Sequence, residues 1–204
     1  MSASFYFSFL IMRCFFAITI PESLKKELNN CLSQLKPFSH TVRWVSTENL
    51  HLTLKFLRNI PDTQIPELIA KSQPLLQSVE PFKLSVKGVG TFPAKGAPNV
   101  FWVGIEPSDA LLRLHHIVDD AVASLGILKE QRRFSPHLTI GRARGYETEK
   151  LMSRFRTFEN AFFGSIDVHE ISLFQSILKP SGAEYRLIDS CKLGRRKDDL
   201  NTSH

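Results

Sequence analysis

Residues 51–54 read His-Leu-Thr-Leu and residues 137–140 read His-Leu-Thr-Ile, and each motif lies in an apolar run typical of a β-strand. Side chains two residues apart on a strand point to the same face. Each motif therefore predicts one face with a histidine and a threonine and an opposite face with aliphatic side chains. The two histidines are 86 residues apart in the chain, so a shared site requires a fold that brings the two strands together.

The polar side chains of the two motifs, His51, Thr53, His137 and Thr139, suit acid–base chemistry on a phosphate ester. A histidine titrates near neutral pH and can act as an acid or as a base. A threonine beside it is better placed to hydrogen-bond a ligand oxygen than to act as a nucleophile. A single His-x-Thr pattern would be equally typical of a hydrogen-bonded pair within a core. The repetition favours the functional interpretation.

The composition of the two runs disfavours a metal site. Neither run contains an aspartate, a glutamate or a cysteine, and two histidines do not complete a coordination shell. We therefore expect no metal and no other cofactor.

The rest of the chain predicts the fold class. Amphipathic helical spacing of apolar residues is found in the segments 22–35, 62–79, 108–125 and 147–158. Strand-like runs separate these segments, and no Gly-rich phosphate loop or G-x-G-x-x-G motif supports a P-loop or Rossmann fold. The pattern predicts an α+β protein of mainly antiparallel sheet with helices outside and a rough twofold duplication. The adjacent His115 and His116 of the third helix are expected at the surface.

Length and charge limit the class of protein further. The 204 residues, 43% hydrophobic and 23% charged, suffice for one domain or for two small lobes that share a cleft. The net charge of +6 favours a polyanionic partner. Three cysteines without C-x-x-C spacing predict free thiols and a cytoplasmic location.

The two ends of the chain are expected to lie outside the domain. The apolar run 5–20 is interrupted by Arg13 and is shorter than the roughly 18 residues of a membrane span, so no membrane association is expected. We expect residues 1–11 to be an N-terminal extension, with Met12 as an alternative start, and the polar residues 193–204 to be a disordered tail. The single domain is then 12–192.

The chain resembles the two-histidine (2H) phosphoesterase superfamily, specifically the bacterial and archaeal RNA 2′,3′-cyclic phosphodiesterases that are also known as 2′-5′ RNA ligases. The similarity extends over residues 12 to about 190. The segments that carry it are 13–18, 43–45, 48–57, 82–92, 101–104, 134–142, 173–176 and 182–187. Arg58 departs from the family pattern, which often has glycine at this position.

The resemblance implies a bilobal fold with pseudo-twofold symmetry, in which each lobe of mainly antiparallel sheet brings one motif to a cleft between the lobes. It implies hydrolysis of RNA 2′,3′-cyclic phosphate ends, tRNA fragments among them, to 2′-phosphomonoesters by a monomer, with reversible 2′-5′ ligation as a related reaction. His51 would be the proton donor and His137 the proton acceptor. Thr53 and Thr139 would bind the phosphate oxygens, and Arg142 would supply a cation.

Two alternatives stay open from the sequence. One is an RNA-end-binding module without catalysis, and the other is an enzyme of the same fold that acts on another small cyclic or 2′-5′-linked nucleotide.

Strand parity raises a difficulty for the residues that follow each motif. Arg142 is five residues after His137, an odd offset that points to the opposite face, unless Gly141 introduces a β-bulge or ends the strand. A solvent-facing arginine is the alternative. By the same parity Lys55 is expected at the cleft rim and Phe56 on the apolar face. Phe56 and Trp44 are nonetheless the aromatic residues that we consider for base stacking.

Overall fold

Apolar residues spaced by three and four residues form the first and third helices, and alternating apolar residues form most of the strands. The structure, a computed structural model, describes residues 10–145, 149–180 and 182–194. Within these residues the elements are β1 (Ile11–Thr19), α1 (Glu22–Leu35), β2 (Val42–Trp44), β3 (His51–Pro61), α2 (Ile65–Gln77), β4 (Phe82–Phe92), β5 (Val100–Ile105), α3 (Asp109–Ala123), β6 (His137–Ala143), α4 (Glu149–Arg156), β7 (Phe162–Val168), β8 (Glu170–Lys179) and β9 (Gly182–Lys192).

One continuous sheet joins the two predicted halves. Its strand order is β7-β4-β5-β6-β3-β1-β8-β9, with β2 paired to β6, and the strand pairs of the described residues are all antiparallel. The half that contains β1, β3, β8 and β9 is drawn from both ends of the described chain, and β2 together with β4 to β7 forms the other half. The two motif strands, β3 and β6, are the neighbours at the junction.

The junction between the halves is narrow. In the described residues β3 and β6 share the single pair Leu52 and Leu138, whereas β1 and β3 are paired along most of their lengths. Both leucines are fully buried. A one-pair junction lets the two halves diverge on either side of it, as the cleft implied by the family resemblance requires.

The four helices of the described chain cover the outer face of the sheet. Helix α1 packs on β7 and α4, and helix α2 packs on α3 and β9, while α3 also contacts β3. The leucines of the α1 stripe are all buried, as their spacing predicts; they are Leu24, Leu28, Leu32 and Leu35. This α+β architecture confirms the fold class that the sequence predicts.

Several details differ from the sequence predictions. Helix α2 continues through Pro74 to Gln77, and a 3-10 turn, Asp62–Gln64, precedes it. The expectation that His115 lies at the surface is wrong: His115 is buried, whereas its neighbour His116 is exposed, as predicted. The first strand also begins earlier than the predicted domain, because β1 starts at Ile11, within the predicted N-terminal extension.

The ends of the described chain are tied to the domain. Leu193 and Gly194 donate backbone hydrogen bonds to the carbonyls of His169 and Val79, so the predicted tail is ordered at its first two residues. The remainder of both predicted terminal segments, 1–9 and 195–204, lies outside the described residues, as do 146–148 and 181. The three cysteines are buried free thiols. In the described part of the chain, no helix has the length and apolar character needed to cross a membrane.

Candidate active site

The first motif strand contains a β-bulge directly after its threonine. Thr53 pairs with Ala17 of β1 but Lys55 pairs with the preceding Phe16, so Leu54 is an extra residue in β3. Leu54 and Lys55 are consequently both buried. From this point the alternation is reversed, because a bulge shifts all following side chains to the other face.

Because of this reversal, Lys55 and Phe56 lie on the opposite faces of β3 from those that strict alternation predicts. Lys55 is only 5% exposed and points to the core, so its predicted place at the cleft rim is wrong. Phe56 is 58% exposed and lies on the face of His51 and Thr53, where its ring centroid is 5.7 Å from that of Phe15. The bulge therefore adds an aromatic side chain to the histidine face.

The second motif strand contains the matching bulge, which is one of the two possibilities that the sequence leaves open at Gly141. Thr139 pairs with Trp102 and Gly141 pairs with the preceding Phe101, so Ile140 is the extra residue of β6. Ile140 and Gly141 are both buried and Arg142 is exposed. The bulge brings Arg142 to the face of His137 and Thr139.

Close packing of β2 explains why glycine occupies the bulge. A Cβ atom at Gly141 would lie 2.7 Å from Cγ1 of Val42 and 2.9 Å from Cε3 of Trp44. Trp44 pairs with Gly141 and packs against the buried ring of Phe101, on the face away from Arg142. Trp44 is thus not available to stack on a base in the cleft.

The junction pair brings the four motif side chains together. The register set by Leu52 and Leu138 places His51 beside Thr139, and Thr53 beside His137. All four side chains are half-buried. The structure therefore forms one polar surface from two segments that are far apart in the chain.

Both imidazoles are held in the same way. Nδ1 of His51 lies 2.8 Å from the carbonyl oxygen of Asn49, and Nδ1 of His137 lies 2.7 Å from that of Ser135. A carbonyl oxygen can only accept, so Nδ1 carries the proton in each neutral ring and Nε2 is the basic nitrogen. Each histidine thus has Nε2 free of this bond and available to a substrate.

Aromatic side chains fix the planes of the imidazoles. The ring centroid of His51 is 4.7 Å from that of Phe15 and 5.0 Å from that of Tyr185. On the other side, the ring of His137 is 5.0 Å from that of Phe92, edge to face. The sequence gives no local signal for these neighbours, because β1, β4 and β9 carry them to the site by strand pairing.

The electrostatic environment differs between the two histidines. Burial lowers the pKa of His51, the bond to the Asn49 carbonyl raises it in part, and the nearby His137 lowers it further. Burial also lowers the pKa of His137, and there the second lowering influence is the cation of Arg142. Burial thus disfavours the cationic form of both rings, and at His137 the neighbouring arginine disfavours it as well.

A pocket opens beside His51. Its lining combines aromatic rings with polar groups, and it consists of Phe15, Thr19, Ile20, Lys25, Glu48, Asn49, Leu50, His51, Phe174 and Tyr185. Lys25 forms ion pairs with Glu22 and Glu48 at the rim. In the described ranges no group of three or more His, Cys, Asp or Glu side chains could hold a metal ion.

Comparison with known proteins identifies the family. A model of the 2′-5′ RNA ligase superfamily matches residues 40–177. The RNA 2′,3′-cyclic phosphodiesterase of Methanocaldococcus jannaschii is 34% identical, with 87% of this chain and 98% of that protein aligned. The enzyme of the same name from Thermotoga maritima is 33% identical, with 89% and 95% aligned. A crystal structure of a Thermus thermophilus protein superposes with a TM-score of 0.78 at 28% identity, covering 89% of this chain and 97% of that one. The chain belongs to the 2′-5′ RNA ligase superfamily, whose members are 2H phosphoesterases.

Proposed function

We propose that the protein hydrolyses RNA 2′,3′-cyclic phosphate ends to 2′-phosphomonoesters by two-histidine acid–base catalysis. The observation that carries this proposal is the pair of imidazoles on adjacent strands, each with Nδ1 bound to a backbone carbonyl and Nε2 available. The names of its relatives, RNA 2′,3′-cyclic phosphodiesterases, support the choice of substrate.

In the proposed reaction a water molecule attacks the phosphorus atom and the bond from phosphorus to the ribose 3′-oxygen breaks. Nε2 of His137 accepts the proton of the water, and Nε2 of His51 donates a proton to the 3′-oxygen. The products are a 2′-phosphate and a free 3′-hydroxyl. General acid–base catalysis of this kind contributes about 10²–10⁴-fold for each group.

The electrostatics of the site support one part of this assignment, the neutral form of His137. The base must be neutral and the acid must carry a proton before the chemical step. Arg142 disfavours the protonated form of His137, and the cationic neighbour that lowers the pKa of His51 is His137 itself. The proton-donor role of His51 is the role that the family resemblance implies, and an anionic phosphate between the rings favours protonation of an imidazole beside it.

The remaining residues of the face bind the substrate in this proposal. The hydroxyls of Thr53 and Thr139 donate hydrogen bonds to the non-bridging oxygens, and the guanidinium of Arg142 balances the charge that develops on them. The exposed ring of Phe56 offers a stacking surface for a base. The net charge of +6 is suited to RNA ends, tRNA fragments included. We place this activity in a cytoplasmic monomer that needs no metal or other cofactor.

A 2′-5′ ligation uses the same step with the 5′-hydroxyl of a second RNA in place of water. The attack again breaks the bond to the 3′-oxygen, so the same two histidines serve, and the product is a 2′-5′ linkage. The description of the family, the 2′-5′ RNA ligase superfamily, is the observation that favours this second activity.

The test is to incubate the protein, with EDTA, with a short oligonucleotide that ends in a 2′,3′-cyclic phosphate. We expect conversion to the 2′-phosphate, identified against synthetic 2′- and 3′-phosphate standards. Tight binding without conversion would instead indicate an RNA-end-binding module. Turnover of 2′-5′-linked or other cyclic nucleotides, with none of the RNA end, would indicate a different substrate for the same site.

A further inference from the structure

The segment that leads into the second motif has no regular secondary structure. It consists of residues 126–136, between α3 and β6, and most of its side chains are exposed. Its second-to-last residue is Ser135, whose carbonyl oxygen accepts the hydrogen bond from Nδ1 of His137. The position of this segment, together with the ring of Phe92, therefore determines the orientation of the imidazole of His137.

A buried ammonium group holds the middle of this segment. Nζ of Lys55 donates a hydrogen bond of 3.0 Å to the carbonyl oxygen of Leu128 and forms an ion pair with Asp119 of α3. The same carboxylate oxygen of Asp119 lies 3.4 Å from the backbone nitrogen of Glu130. Lys55 occupies this interior position because the β3 bulge reverses its direction.

A buried histidine holds the end of the segment. Nδ1 of His115, one helical turn before Asp119, donates to the carbonyl oxygen of Leu54 at 3.1 Å. The imidazole of His115 also stacks on Phe134, with ring centroids 4.0 Å apart and planes 8° apart. Phe134 directly precedes Ser135. We call Lys55, His115 and Asp119 the buried clasp.

Stability alone does not explain these residues. A buried ion pair is often no more stabilising than apolar side chains of similar volume, because both charges lose their hydration. The ion pair instead fixes the geometry of the backbone around it. Lys55 and Asp119 bind backbone groups of the segment before β6, and His115 binds the carbonyl of Leu54 at the β3 bulge.

We propose that Lys55, His115 and Asp119 are positioning residues, which hold residues 126–136, and hence the Ser135 carbonyl and the imidazole of His137, in place beside β3. The inference rests on the proposed function, since it assigns a role to these residues in the reaction of His51 and His137. It adds a set of residues that lie behind the cleft face and do not touch the reacting groups.

The first test replaces both buried charges together by Lys55→Met and Asp119→Leu, which leaves no uncompensated charge in the core. We expect a cooperatively folded protein whose kcat falls on the order of 10- to 100-fold, because a displacement of about 1 Å at the base is enough for such a loss. We expect KM to change by less than about threefold, since Thr53, Thr139 and Arg142 still bind the phosphate. The matched control is Asp120→Asn with Lys129→Met, an exposed ion pair between the same helix and the same segment, which should leave kcat within about twofold.

The second test reads the imidazole directly by NMR of protein labelled with ¹⁵N-histidine. In the parent protein we expect His137 to be the Nδ1–H tautomer. In the double variant we expect His137 to be a mixture of tautomers with a changed pKa, while His51 keeps its tautomer. His115→Phe is a milder variant that retains a ring to stack on Phe134 and removes only the bond to Leu54, and it should change His137 in the same direction by less.

Parent-like kcat and an unchanged His137 tautomer in a folded double variant would overturn the inference. If the double variant does not fold, the result for His115→Phe decides in the same way. The NMR result does not depend on turnover. If the parent protein is inactive on the RNA end, the proposed function is refuted, and the His137 spectrum still tests the buried clasp.

Discussion

The bulge at Gly141 offers the sharpest test of how the second half of the site is built. The change is Gly141→Ala. The new Cβ atom would lie 2.7 Å from Cγ1 of Val42 and 2.9 Å from Cε3 of Trp44, whereas carbon atoms in contact prefer about 3.5–4.0 Å. The strands β2 and β6 must therefore separate by roughly 1 Å or the bulge must change its shape, and either movement displaces Arg142.

The size of the effect follows from this overlap. Overpacking of a well-packed interior costs about 1–3 kcal/mol, and each kcal/mol lowers Tm by roughly 2–4 °C in a protein of this size. A displacement of about 1 Å at a substrate-binding cation predicts a loss of kcat/KM on the order of 10- to 100-fold. Activity should thus fall further than the loss of folded protein explains.

The assay combines thermal unfolding with kcat/KM on the cyclic-phosphate oligonucleotide. Gly145→Ala is the matched control, because a Cβ atom there meets no described atom within 4 Å, and it should leave both quantities near those of the parent. Adding Val42→Ala to Gly141→Ala removes the closer of the two contacts and should restore part of the stability. If Gly141→Ala is as stable and as active as the parent, the assignment of a packed bulge that directs Arg142 is wrong.

Three further predictions concern the histidines and the arginine. His51→Gln and His137→Gln should each reduce turnover by about 10²–10⁴-fold, while the circular dichroism spectrum stays that of the folded parent. Retention of a tenth or more of the activity would exclude an acid–base role for that residue. The dependence of kcat/KM on pH should be bell-shaped. Arg142→Met should move the acidic limb of this profile to higher pH, because loss of the cation raises the pKa of His137. A monotonic profile or an unmoved acidic limb would contradict the paired roles. Burial lowers the folded-state pKa of His51, His115 and His137 below the ordinary 6.5. The unfolded chain therefore binds more protons, so the free energy of unfolding, measured in urea, should fall as the pH falls below about 6.5. His115→Phe should weaken this dependence.

The sequence predicts the elements better than it predicts the site. Helical spacing in α1 and alternation before each bulge are local properties, so the buried leucines and the shared face of His51 and Thr53 follow from them. The β3 bulge has no glycine or proline to mark it, which is why Lys55 and Phe56 exchange their predicted faces. Gly141 does mark the second bulge, so the histidine face is one of the two positions that the sequence offers for Arg142.

The burial of His115 has a signal in the sequence. It follows Leu111 by four residues and precedes Val118 by three, and both of these are on the buried stripe of α3. A polar residue within an apolar stripe requires a hydrogen-bond partner from another element, and here the partner is the Leu54 carbonyl at the β3 bulge. The buried histidine and the unmarked bulge are thus two parts of one structural feature.

The two halves of the site are similar through the bulge and differ directly after it. In each motif the histidine binds the carbonyl two residues before it, the threonine shares its face, and a bulge brings the fifth residue after the histidine to the cleft. That residue is the neutral Phe56 in one half and the cationic Arg142 in the other. A duplicated scaffold by itself would give two histidines with similar surroundings, and their roles as acid and base would then depend on where the substrate places the water and the 3′-oxygen. The cation of Arg142 disfavours a proton on His137, whereas burial and the neighbouring His137 disfavour one on His51. The difference between Phe56 and Arg142 therefore gives a symmetric scaffold an asymmetric charge beside its two histidines.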